Sequence, residues 1–324
     1  MTASNDPDDS NREYIDEPAR ISPEVSYDLE FEPVSRPLPR IWTALVVPII
    51  AMVVGGIAAA VVIIVGVLTV SRTPLSPESI EQDISQLLAT PIGIWIAVLP
   101  GQLFFFGAAV AAAWLSPVTM RQRLGLVRGT GPLWHWAVFV AAVPVIGIVT
   151  SLLLDAAGAE WSDQMRQMAE LMVADSKLEL AVILLLVAIV PGVAEEFLFR
   201  GYLQSRLLER WRPGAAICVS ALFFAIAHID PIHVIAVFPL GIWLGLVAWR
   251  AGSIWPAVLC HMANNFVSIV ALQVTSDPLV MSSIETMVLL PSGIAFFGAV
   301  PLMLRKHAAA GPEKRTEVQS STPM

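Results

Sequence analysis

Pro191-Gly192-Val193-Ala194-Glu195-Glu196-Phe197-Leu198-Phe199-Arg200 closes an apolar run that opens near residue 178. The run is long enough to cross a bilayer, whose core takes about 20 helical residues. An ionisable group inside such a segment costs ~2.5–3.5 kcal/mol on insertion scales and marks a functional site by default. Here two carboxylates stand side by side after fifteen apolar residues, which packing alone does not explain. On a helix Glu196 and Arg200 are i, i+4, so they share a face and can pair. Glu195 points ~100° away from Glu196 at 3.6 residues per turn. It is left beside a like charge in a poorly solvated place, a setting that suits a general base near neutral pH. The bland alternative is a charged helix end reaching the cytosolic interface, since Gln204, Arg206 and Arg210 follow.

Apolar runs flank this one on both sides, at 42–70, 91–116, 133–154, 214–231, 232–250, 253–275 and 284–304, with 178–200 as the fourth in order. The pattern predicts an all-α fold, a polytopic transmembrane helix bundle of about eight spans. Only Asp230-Pro231 separates the fifth run from the sixth. Composition agrees. Of 324 residues 56% are hydrophobic and 14% charged, against ~25% charged in an average soluble domain. Lys+Arg is 19 against Asp+Glu 27, for a net charge of -8, which argues against nucleic acid as a partner. Two cysteines cannot make a disulfide framework; Cys218 and Cys260 lie in apolar runs and read as buried small hydrophobes.

Residues 1–40 carry ten acids, four arginines and six prolines, and read as a disordered acidic tail. Residues 41–177 read as N-terminal spans with an amphipathic or loop segment, 178–304 as the transmembrane core that holds the ionisable residues, and 305–324 as a polar tail. Lysines and arginines number 16 on the side holding both tails, 121–128, 200–212 and Arg250, against Arg72, Arg166 and Lys177 on the other. The positive-inside rule then puts both tails in the cytoplasm of an integral, cell-membrane protein. In 155–177, Trp161, Met165, Met168, Leu171 and Met172 are spaced as on a helix. The segment reads equally as an amphipathic helix on the outer surface or as a plain loop.

Polar residues recur in the later runs. The fifth ends in Phe224-x-x-x-His228, which lets the ring wall one side of the imidazole; an interfacial histidine is the alternative. His233 reads as a boundary residue. The seventh contains His261-Met262-Ala263-Asn264-Asn265. His261 and Asn265 are i, i+4 and both can donate to a developing oxyanion; the alternative is polar glue between helices, which fits Asn264 well.

Glu195-Glu196-x-x-x-Arg200, Phe224-x-x-x-His228 and His261-x-x-x-Asn265, in that order, resemble the CPBP family, the CAAX prenyl protease and bacteriocin-processing (Abi) membrane proteases. The resemblance covers about residues 180–270, and residues 1–130 carry no part of it. It implies an intramembrane endopeptidase with a site facing the cytosol. Glu195 would activate water, supported by Glu196 and Arg200. His228 would position that water, and His261 and Asn265 would hold the oxyanion. Its substrate would be a peptide or lipidated protein among membrane lipids. Members are often called metalloproteases, and Glu195, His228 and His261 could hold zinc. There is no His-Glu-x-x-His helix, Asn265 is a poor zinc ligand, and the reading favours glutamate-activated water with no obligatory cofactor.

Depth sets a condition. At ~1.5 Å per residue, Glu195 lies roughly 8 Å from Arg200, His261 about 12 Å from Ser253 and His228 about 21 Å from Gly214. Groups that share one water require a fifth helix that starts outside the bilayer, a tilted one, or a deep cavity. Two other functions compete. One is a non-catalytic scaffold or immunity-type protein that keeps the protease fold. The other is a proton-coupled transporter, which the lack of paired broken helices disfavours.

Overall fold

The structure, a computed structural model, describes residues 40–71, 76–88, 90–274 and 278–304. The acidic segment read over 1–40, Arg40 excepted, lies outside the described residues, as do Arg72 and the polar segment 305–324. The chain forms α1 (Ile41–Val70), α2 (Pro77–Leu88), α3 (Pro91–Trp114), α4 (Met120–Arg123) and α5 (Trp134–Ala156). It continues with α6 (Asp163–Leu171), α7 (Lys177–Leu208), α8 (Pro213–Ile226), α9 (Pro231–Ala251), α10 (Trp255–Val274) and α11 (Pro278–Leu304). There is no strand among the described residues. Seven helices among them are long and apolar enough to cross a membrane, and the fold is an all-α polytopic bundle.

The fifth apolar run differs from the other spans. Its helix, α8, has 14 residues and reaches ~21 Å, short of a ~30 Å bilayer core. Pro213 starts it, and the chain turns back after Ile226. Ile229 takes a positive φ of 66° in that turn. Asp230 then caps α9, accepting from the backbone N–H of Ile232 at 3.0 Å and of His233 at 2.9 Å. Helices α8 and α9 thus form a hairpin.

Helix α7 runs past Arg200 to Leu208, although hydropathy falls at Arg200. The polar side chains there are internal. Arg200 Nη2 donates to Gly241 O at 2.9 Å, and Gln204 Nε2 to Gly245 O at 2.9 Å. Gly241-x-x-x-Gly245 on α9 makes those carbonyls reachable, because small residues let membrane helices approach closely. A Cβ on Gly241 would stand 3.0 Å from Ala221 Cβ and 3.2 Å from the Phe224 ring.

Around the glutamates α7 is irregular, widening to π-helix over Leu184–Ile189 and Phe197–Gln204. Such widening is frequent at functional sites. Pro191 has no N–H to offer Val187 O, four residues back, and Asn265 Nδ2 of α10 donates there at 3.0 Å. Helix α10 comes close at this point. A Cβ on Gly192 would stand 2.5 Å from Met262 Cγ.

The core lies where α7, α8 and α9 meet, with Leu198, Phe199, Leu203, Phe224 and Leu244 fully buried. Cys260 is buried, but Cys218 is exposed on α8, which corrects its reading as a buried residue. Ile217, Ser220, Ala221 and Phe224 take the inner face, leaving Cys218, Leu222 and Ile226 outside. Lipid is as apolar as a core, so hydropathy alone does not tell the two faces apart.

Candidate active site

The three sequence motifs meet at one place. Arg200 Nη1 donates to Glu196 Oε1 at 2.7 Å, both side chains wholly buried. The same oxygen accepts from His261 Nδ1 at 2.9 Å. Glu196 is therefore held between two cationic or donor groups. Glu195, turned away on the helix, faces the other nitrogen of the same ring, with Oε2 at 3.9 Å from His261 Nε2. That oxygen is buried and has no hydrogen-bond partner.

Phe224 joins the parts. Its ring lies under the Arg200 guanidinium at 4.5 Å. It meets the rings of His228 and His261 edge-on, with centroids 5.1 and 5.4 Å away. His228 Nδ1 lies 3.0 Å from Phe224 O. A carbonyl can only accept, so Nδ1 carries the proton and the neutral ring keeps a lone pair on Nε2. By the same reasoning the Nδ1 proton of His261 belongs to the Glu196 contact. Asn265 spends one N–H on Val187 O, and its Oδ1 accepts from Asn264 at 3.2 Å; one N–H is left.

Glu195, His228, His261 and Asn265 line a cavity of about 490 Å³. Glu196 and Arg200 stand behind it, in the packed interior. Of the differing depths reckoned from the apolar runs, those of Glu195 and His228 agree once true helix ends are used, while His261 lies six residues, ~9 Å, from the start of α10. Glu195 is 13 residues from Leu208 and His228 is 15 from Pro213, so the two lie ~20 and ~22 Å in. The residue before α10 is tied to the loop after α4, where Ile254 N–H bonds Gly125 O at 3.2 Å.

Residues 177–267 match the type II CAAX prenyl endopeptidase Rce1-like family. The matched region contains all three motifs. It supports, at the level of the family, an intramembrane endopeptidase of the CAAX-protease kind. With seven apolar helices it makes the chain an integral membrane protein. No curated protein and no solved structure matches the chain.

The Rce1-like region does not supply the whole site. Gln102, from α3, donates its Nε2 hydrogen to Glu195 Oε1 at 2.8 Å. It is a lone amide in a helix of 24 mostly apolar residues, and that isolation was its only signal. His233, read as a boundary residue, also lines the cavity, its ring 4.6 Å from that of His228. The amphipathic or loop segment resolves into α6, whose Met165, Met168 and Ala169 line the cavity together with Met172 just beyond it. The Ser162 hydroxyl at the α6 N-cap, followed by the His233 amide, holds the Asp230 carboxyl below the usual carboxylate range.

Glu195, His228 and His261, the residues named for zinc, line one cavity. Among the described residues no three His, Cys, Asp or Glu side chains come close enough together to hold a metal ion. Glu196 engages Nδ1 of His261 and Phe224 O engages Nδ1 of His228, which leaves Nε2 of each ring available.

Proposed function

We propose that the chain hydrolyses a membrane-proximal peptide bond with Glu195 as the base. The reading is supported above all by the unpartnered Glu195 Oε2 lying 3.9 Å from His261 Nε2 at the inner end of a cavity. One water at about 2.8 Å from each bridges such a gap. Glu195 takes a proton from that water, and the Nε2 lone pair of His228 orients it. The hydroxide adds to the carbonyl carbon. The oxyanion is met by the spare N–H of Asn265 and, with the His261 ring carrying a proton on both nitrogens, by its Nε2–H. As the C–N bond breaks, Glu195 returns the proton to the leaving amine. Glu196 and Arg200 position His261, and Gln102 positions Glu195.

No step requires a metal, so an excess of chelator should leave turnover unchanged. Both tails are assigned to the cytoplasm on the 16-to-3 charge asymmetry. The division into supporting spans over 41–177 and a catalytic core over 178–304 is kept, with Gln102 contributed from the first. The test is a comparison of membrane peptides from cells carrying the active protein and cells carrying Glu195→Gln. Cleavage products confined to the first are expected; identical peptide sets would end the proposal.

A further inference from the structure

We propose that substrate enters this site from the non-cytoplasmic face of the membrane, so that its substrates are peptide segments exposed on or anchored at that face. The inference rests on the hydrolase reading and adds a direction to it. Three observations carry it.

The cavity is closed at one end. Between Glu195 and the Leu208 end of α7 lie Glu196, Phe199, Arg200, Leu203, Gln204 and Leu207, each no more than 2% exposed. Arg200 and Gln204 are tied to the α9 backbone, and Ser220 of α8 donates to Phe199 O at 2.8 Å. A peptide has no path through this floor without unpacking it.

The cavity extends toward the other end. From Glu195 its wall climbs α7 through Pro191 and Val187, toward Lys177. It climbs α10 from His261 through Ser268 to Leu272, toward Val274. Val98 and Gln102 belong to the first half of α3, and the α8–α9 turn adds Ile229 and Asp230. Helix α6 lies across the top, anchored where Gln273 Nε2 donates to Met172 O at 2.6 Å.

The two ends differ in charge. The closed end carries Arg121, Arg123, Arg128, Arg206, Arg210, Arg212 and Arg250, all in or beside short loops. The end under α6 offers Arg166 and Lys177. Short loops rich in Lys and Arg stay in the cytoplasm. The mouth therefore opens away from it, opposite to the sidedness that the family resemblance implies. The apolar walls and methionine roof suit an apolar segment leaving the outer leaflet.

Single cysteines test this without turnover. In a Cys218→Ser, Cys260→Ala background, Glu160→Cys beside α6, Ser268→Cys in the cavity wall and Arg210→Cys at the closed end are treated with a membrane-impermeant maleimide. Intact cells should label the first two, and Arg210→Cys should label only after lysis. Labelling of Arg210→Cys in intact cells, or of Ser268→Cys from the cytoplasmic side alone or from neither side, would overturn the proposal. A protein that labels as expected yet cleaves nothing breaks the hydrolase reading alone. An active protein labelled only from within breaks this inference alone.

Discussion

Helices α1 and α7 are both apolar, but they meet different surroundings. Of the most apolar stretch of α1, 11% is buried, against 39% in α7. Val53, Ile57, Val61 and Ile64 of α1 are more than half exposed, and they face a solvent as apolar as themselves. Helix α7 faces protein on nearly every side from Phe197 to Gln204. Apolarity places a helix in the membrane; its polar residues decide where in the bundle it goes. Glu196, Arg200 and Gln204 are tolerated in α7 because His261, Gly241 O and Gly245 O each engage one of their polar atoms, although Glu196 Oε2, Arg200 Nε and Gln204 Oε1 are left without a partner.

Four substitutions probe that contrast, each read as the thermal stability of detergent-solubilised protein unless stated otherwise. Glu196→Ala should have the largest effect. It leaves the Arg200 guanidinium buried and unpaired and should cost about 3–5 kcal/mol. Phe224→Leu removes the ring under Arg200 and between the two imidazoles, and should cost about 2–3 kcal/mol from the lost cation–π and edge contacts. Gln102→Leu removes one hydrogen bond to a carboxylate. Turnover should fall about tenfold, equivalent to ~1.4 kcal/mol, with the melting temperature little changed. Ile57→Ala on α1 should stay within ~0.5 kcal/mol of the parent; a larger loss would show that α1 packs against protein after all.

Asp230→Ala adds a pH signature. The native carboxyl is held below its ordinary range, by the Ser162 hydroxyl first. Its contribution is therefore complete above the unfolded value and is lost as pH falls through the lower folded value. The melting temperatures of parent and variant should differ at neutral pH and converge in acid. A gap that widens in acid would contradict the role of this cap.

Much of the site was legible because charge in an apolar run is rare enough to signal. The Glu196–Arg200 spacing gave their pairing, and the Phe224–His228 spacing gave the ring contact. Gln102 escaped because a neutral amide in a transmembrane helix has many structural explanations and no partner at helical spacing. The matching distances of Glu195 and His228 from their helix ends escaped because hydropathy ends α7 at Arg200, whereas hydrogen bonds to α9 carry it on to Leu208. The roof escaped because α6 is amphipathic, and its apolar face does not say whether protein or headgroups will cover it. For Asn265, spacing suggested an oxyanion donor, but Pro191 creates a second duty, the orphaned Val187 carbonyl, which only the folded chain reveals.

The most direct test of Glu195 as the water-activating base is hydrolysis by the purified protein in liposomes. Its substrate would be a peptide recovered from the membrane comparison, and parent and Glu195→Gln would be assayed at matched fold stability. Loss of turnover by about 10²–10⁴-fold with an unchanged melting temperature is expected. Parent-like turnover in the variant would contradict it.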